Sequence, residues 1–203
     1  MTVQSKNLYG LILAGGYSQR MGQDKALLTY RDKSQLLHTH ELLSHYCDKV
    51  FISVRDDQQQ QSPYHRFPQI KDNIALGIKG PLAGIVSALI LHPAHSWLVL
   101  ACDLPFVDNQ TIETLINGRN QQAIATAFIS SYENLPEPLC AIWEAQALES
   151  IQEFVKSGIS CPRKILIKSK THLLPQENPK WLDNVNTMEE FHQAQQKLKI
   201  KKS

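Results

Sequence analysis

The stretch at residues 8–14 constrains this fold more than any other segment. It is apolar and stops at Gly15-Gly16, the pattern of a strand buried on both faces and followed by a tight turn. Such a strand needs cover on two sides, and the chain supplies helices in alternation with further strands. Ser34 caps a helix running to about Tyr46, with Leu36, Leu37, Leu43 and Cys47 at helical spacing. Residues 49–54 are β-branched and aromatic, and Ile70 ends a short third strand just before Asp72. Gly80-Pro81 opens a helix to about Leu91, which Pro93 closes. Residues 97–102 form the most apolar strand and deliver Asp103 at its end. Asp108 or Asn109 caps the next helix, which carries Ile112, Leu115 and Ile116 and stops at Gly118. Strands at 123–129 and 139–143, helices at about 145–157 and 162–168, and a last helix from Met188 to about Leu198, with Thr187 as its candidate cap, complete the reading. Residues 57–62, which include four consecutive glutamines, read as an exposed loop.

This alternation predicts an α/β fold with a mostly parallel sheet covered on both faces. Ligands bind at the C-terminal strand ends of such sheets, so the Gly15-Gly16 loop, Asp72, Asp103 and the segment before Met188 are expected on one edge. The 203 residues show no repeat and no dividing linker, which predicts a single domain.

Charge excludes more than it suggests. There are 21 Lys and Arg against 19 Asp and Glu, a net +2, but residues 197–203 hold four lysines and no acid. Without them the balance is 17 against 19, so the basic character is that of a tail, expected to be flexible and dispensable, and no nucleic-acid partner is expected. No run approaches the ~18 apolar residues of a membrane span. Residues 1–7 are polar and lack the order of a signal peptide, so a cytoplasmic protein is expected. Cys47, Cys102, Cys140 and Cys161 show no metal spacing, and Cys102 and Cys140 sit in apolar runs as small core residues.

Residues 13–25, LAGGYSQRMGQDK, carry the most chemistry. Three glycines let backbone N–H groups approach phosphate oxygens, and Arg20 and Lys25 add two cations. The segment is neither a Walker A loop nor GxGxxG, and a glycine turn with ordinary surface charges is the plainer alternative. Asp103 ends an apolar strand, where a carboxylate needs a partner, and one or two carboxylates with phosphate oxygens suit Mg²⁺. Capping the next turn would be its structural role. Asp72 carries a weaker version of that argument. Gly80 and Gly84 would admit a flat ring or ribose, or would simply start and pack a helix. Asn184 and Asn186 offer two amides to a ligand, or else serve the cap of the last helix. His38, His40 and His45 share a helix without a partner acid at obvious spacing and read as surface or packing residues.

Together, LILAGGYSQRMGQDKALL, GPLAGI, the strand ending Cys102-Asp103-Leu104-Pro105 and the late NVNT resemble the molybdenum cofactor guanylyltransferases, over about residues 8–195. These belong to the larger group of Rossmann-like nucleotidyltransferases. The resemblance implies a Rossmann-like three-layer sandwich. It implies that Leu13, Ala14, Gly15, Gly16, Arg20 and Lys25 hold the nucleotide, with Gly80 and Gly84 near base and ribose. Asp103 matches the magnesium ligand and Asp72 a second acid of the nucleotide site. Asn184 and Asn186 match positions near the pterin-bearing substrate. Two departures stand out: Ser53-Val54-Arg55 where the family often has asparagines, and Asp32-Lys33-Ser34 where Gly-Lys-Pro is usual.

The activity so implied joins GMP from GTP to the terminal phosphate of molybdenum-bound molybdopterin and releases pyrophosphate. Lys25 and Asp103 would be its catalytic residues and Mg²⁺ its cofactor. GTP and a molybdopterin-type cofactor are the implied partners, with transient contact to cofactor-biosynthesis or apo-enzyme proteins. A cytidylyltransferase for the same cofactor would share every phosphate motif. A sugar-phosphate nucleotidyltransferase would lack the late NVNT, and a non-catalytic nucleotide-binding regulator would be expected to lose Lys25, Asp103 or the glycine loop.

Overall fold

The computed structural model describes residues 7–14, 24–55, 58–60, 62–73 and 77–200, the side chain of Ile200 excepted. Its centre is a seven-stranded sheet. The strands are β1 (Leu8–Leu13), β2 (Lys49–Val54), β3 (Gln69–Lys71), β4 (Ser96–Ala101), β5 (Ala125–Ile129), β6 (Pro136–Trp143) and β7 (Thr171–Pro175), in the order β3-β2-β1-β4-β6-β5-β7. All run parallel to β1 except β6, which pairs antiparallel with both β4 and β5.

Side chains alternate across this sheet as a period of two requires. Leu8 and Ile12 of β1 join Leu98 and Leu100 of β4 in one core layer, under α1 (Gln35–Ser44) and α3 (Asn109–Asn117). Tyr9, Leu11, Trp97 and Val99 face the other layer. That layer is covered by α2 (Pro81–Leu91), α4 (Ala147–Lys156) and α5 (Pro162–Lys168). The result is the expected three-layer sandwich, built around strands that are buried almost completely. No helix among the described residues is long and apolar enough to cross a membrane.

Most elements fall where sequence places them, with Ser34 and Asp108 capping α1 and α3 through their side chains. Four features differ. β7 carries few sequence cues because it is a half-exposed edge strand, Leu173 being 42% exposed. β6 begins at Pro136, three residues before the apolar run, because an edge-on start by proline is tolerated where no ladder hydrogen bond is needed. The glutamine-rich stretch is not simply a solvated loop, since Gln58 is 1% exposed. The basic tail is likewise corrected: α6 (Met188–Ile200) extends through Lys197, and Leu198 packs with Leu28, Tyr30, Val185, Phe191 and Ala194. Only residues 201–203 of that tail lie outside the described residues.

Candidate active site

The chain moves outward from β1 through β2 to β3, then returns to lay β4 on the opposite side of β1. The C-terminal ends of β1 and β4 therefore flank the switch in strand order, the place where open α/β sheets open a crevice. Leu13 ends β1 there, its carbonyl accepting the Cys102 N–H at 3.3 Å, and Ala14 follows, buried. Asp103 emerges two residues after β4. Gly15, Gly16 and Arg20 lie outside the described residues.

Lys25 is the junction of this edge. It opens a 3₁₀ turn at Lys25–Leu27, capped by the Asp24 carboxylate, which accepts the Ala26 N–H at 3.0 Å. Its Nζ lies 3.5 Å from Asp103 Oδ2 and donates to Asn186 Oδ1 at 2.6 Å. One ammonium thus gathers three separate motifs: the glycine-rich segment, the end of β4 and the late NVNT.

The asparagine segment is held by helix chemistry. Thr187 and Glu190 form a reciprocal cap of α6: the Glu190 N–H donates to Thr187 Oγ1 at 3.2 Å, and Thr187 N–H to Glu190 Oε2 at 3.0 Å. Glu190 Oε2 also accepts the Asn186 N–H at 2.7 Å, and that bond holds the Glu190 carboxyl below its ordinary range. Val185 N–H donates to the Asp103 carbonyl at 2.9 Å, so the segment runs against the end of β4. Asn186 faces Lys25, whereas Asn184 is exposed.

Asp72 sits elsewhere on the same edge. Ser53 Oγ donates to its Oδ1 at 2.7 Å; burial raises the carboxyl above its ordinary value, and that bond and Arg55 oppose the rise. Asp72 and Asp103 both lie two residues beyond the level of Leu13, counted through its register partners Ser53 and Ala101. The strands they follow, β3 and β4, stand three spacings apart in the sheet, about 14 Å.

The two glycines of GPLAG do different work. Gly80 has φ +70° and ψ −155°, a conformation essentially confined to glycine, and a Cβ there would meet nothing within 4 Å. Gly84 is buried, and a Cβ would come within 2.4 Å of Ser53 Oγ. It serves the packing of α2 on β1 and β2, directly behind Asp72's partner.

Two contributors escape the motif reading. Gln58 donates to Ala14 O at 3.4 Å and to Asp24 Oδ2 at 3.2 Å. Glu137 stands opposite Asp103 when the Leu100–Cys140 pairing is counted on three residues. Burial raises its carboxyl, while the Leu139 N–H and Arg163 pull it back. Neither had a sequence signal, because one hides in a glutamine run and the other depends on the reversed direction of β6.

Among the described residues no three His, Cys, Asp or Glu side chains cluster as a metal cage. The Asp103 carboxylate would suit Mg²⁺, which would take its remaining ligands from phosphate oxygens of a bound nucleotide and from water. His38 and His40 lie on α1 and His45 caps its C-terminal end.

A comparison with known families matches residues 10–172 to the MobA-like NTP transferase domain. The chain belongs to this family. Among MobA-like relatives, the "molybdenum cofactor biosynthesis bifunctional protein" of Synechocystis sp. is 35% identical over 94% of this chain. The chain spans about half of that protein, 54% of its length. A "probable molybdenum cofactor guanylyltransferase" of Bacillus mycoides is 28% identical, over 93% of this chain and 96% of its own. The crystal structure of molybdopterin-guanine dinucleotide biosynthesis protein A from Archaeoglobus fulgidus superposes with a TM-score of 0.77 at 23% identity, covering 95% of this chain and 99% of that one. That last likeness is one of fold alone.

Proposed function

We propose that the protein transfers GMP from GTP to the terminal phosphate of molybdenum-bound molybdopterin, releasing pyrophosphate. The observation that carries this reading is the Lys25 junction. It draws the triphosphate-type segment, Asp103 and Asn186 to the strand-order switch within hydrogen-bond or ion-pair reach of one ammonium. The names borne by the relatives from Synechocystis and Bacillus support the same chemistry.

In this reading an oxygen of the acceptor phosphate forms a bond to the α-phosphorus of GTP. The bond from that phosphorus to the bridging oxygen breaks, and pyrophosphate leaves with the electron pair. A phosphate monoester has its second pKa near about 6, so the acceptor is already largely dianionic at neutral pH. No proton needs abstracting, and the site's task is alignment and charge neutralisation. Lys25 neutralises charge developing toward the leaving group. Asn186, anchored by α6, holds the ammonium toward Asp103 and stands on the acceptor side. Asp72, steadied by Ser53, lies at the far end of an extended nucleotide. Mg²⁺, held by Asp103 and the phosphates, would supply further neutralisation at the triphosphate. The reaction is placed in the cytoplasm, with transient contact to the proteins that deliver or receive the cofactor.

The test is turnover by the purified protein with magnesium, molybdenum-bound molybdopterin and GTP, CTP or ATP in turn. Dinucleotide and pyrophosphate are expected in equal amounts from GTP. Thermal-shift titration provides a second readout: a nucleotide at 100 times its dissociation constant stabilises by about 2.7 kcal/mol. One binding 100-fold more weakly adds only about 0.4 kcal/mol at that concentration. Turnover and stabilisation led by CTP would overturn guanylyl transfer in favour of cytidylyl transfer.

A further inference from the structure

Gln58 is fully committed despite its place in a polar run. The Arg55 N–H, which only donates, gives to Oε1 at 3.2 Å, so the amide nitrogen must face the opposite way. There Nε2 meets two groups that only accept, the carbonyl of Ala14 and the carboxylate of Asp24. Tyr64, also 1% exposed, donates its hydroxyl to the same Asp24 Oδ2 at 2.5 Å. The other carboxylate oxygen, Oδ1, caps the turn that begins with Lys25. Ala14 immediately precedes residues 15–23 and Asp24 immediately follows them. One buried amide therefore ties together the two positions that bound the glycine-rich segment.

We propose that Gln58 is a positioning residue for triphosphate binding, acting by clamping Ala14 to Asp24 and so fixing where Lys25 stands. This rests on the reading of residues 15–25 as the triphosphate site. One consequence follows from the chemistry: occupying both Asp24 oxygens with neutral donors keeps this carboxylate from turning onto the neighbouring ammonium and competing with the nucleotide for it. Gln58 and Tyr64 thus act through Lys25 and need no contact with substrate.

The test is a double-mutant cycle on the full chain. Dissociation constants for GTP, CTP and ATP with magnesium are measured by calorimetry for the unchanged protein, Gln58→Met, Tyr64→Phe, Lys25→Ala and each pair with Lys25→Ala. Melting temperatures are recorded alongside. Gln58→Met is expected to weaken the best-bound triphosphate by about tenfold, the scale of losing a bond to a charged group, and Tyr64→Phe by less. On the Lys25→Ala background neither change should weaken binding further by more than about twofold, because the path they act through is gone. A merely structural role would lower affinity equally on both backgrounds. Unchanged binding in Gln58→Met, or losses that multiply in the double variant, would overturn the clamp. If Gln58→Met does not fold, the Tyr64→Phe cycle decides by the same criterion. Preference of the unchanged protein for CTP overturns guanylyl transfer while the cycle still judges the clamp; binding of no triphosphate overturns both.

Discussion

Lys25 has to hold a charge steady before any nucleotide reaches it, and its two partners, Asn186 and Asp103, do so. Lys25→Ala is expected to cut turnover by about 100-fold or more while circular dichroism and melting stay unchanged; near-normal turnover with saturating substrates would remove it from the reaction. Asp103→Asn keeps the side-chain shape and removes one negative charge. A magnesium titration should show a raised half-saturation point with nucleotide affinity less affected. His38 gives a pH signature. Burial, assisted by Arg31 and Lys33 and opposed by Glu41, lowers its pKa to about 4 from 6.5. Between those values the unfolded chain takes up a proton that the folded chain refuses. Stability from this residue is therefore full above 6.5 and falls as pH drops through that window. Urea melts at pH 7 and pH 4.5 should show a smaller acid loss in His38→Gln than in the unchanged protein. At this scale Lys25, Asp103 and Asn186 were legible because a cation behind a glycine run, an acid at the end of an apolar strand and an amide pair before a helix stand out. Gln58 was not, since its meaning comes from which acceptors the fold brings to it.

Elements carry function here through their ends. The Thr187–Glu190 cap starts α6 and also sets the backbone of Asn186, so its loss should be felt twice. Thr187→Ala is expected to cost about 1 kcal/mol in denaturant melts and to lower turnover as well. The other end of α6 overturns the expectation of a dispensable tail. Deletion of residues 197–203 removes Leu198 from its packing against Leu28 and Tyr30. That truncation, or Leu198→Ala alone, should lower stability by about 2 kcal/mol, whereas deletion of residues 201–203 should leave the melt unchanged. Lysines around a single leucine read as solvated in sequence, and only docking of the helix shows which face is inward. β7 was illegible for the opposite reason: an edge strand needs little apolar pattern, because one side of it faces water.

The whole molecule depends on contacts that sequence order conceals. Arg119 binds Glu144 through two bonds of 2.7 Å, Ser96 adds a third at 2.6 Å, and both charges are nearly buried. This joins the end of α3 to β4 and the close of β6, at the edge opposite Lys25. Glu144→Gln would leave a buried guanidinium short of its countercharge, and thermal melts should show a loss of about 3 kcal/mol. Alternation of strand and helix made the three layers legible; the reversed course of β6, which sets Glu137 against Asp103, was not, since direction leaves no mark on composition. One consequence reaches into biosynthesis. Lys25 and Asn186 are separated by 161 residues. A ribosome adding about 5–20 residues each second emits the first roughly 8–30 s before the second. During that interval the lysine exists without its amide partner, and α6 has yet to form. A nascent chain would then be unable to assemble the finished junction, which is completed only once Asn186 and α6 have emerged.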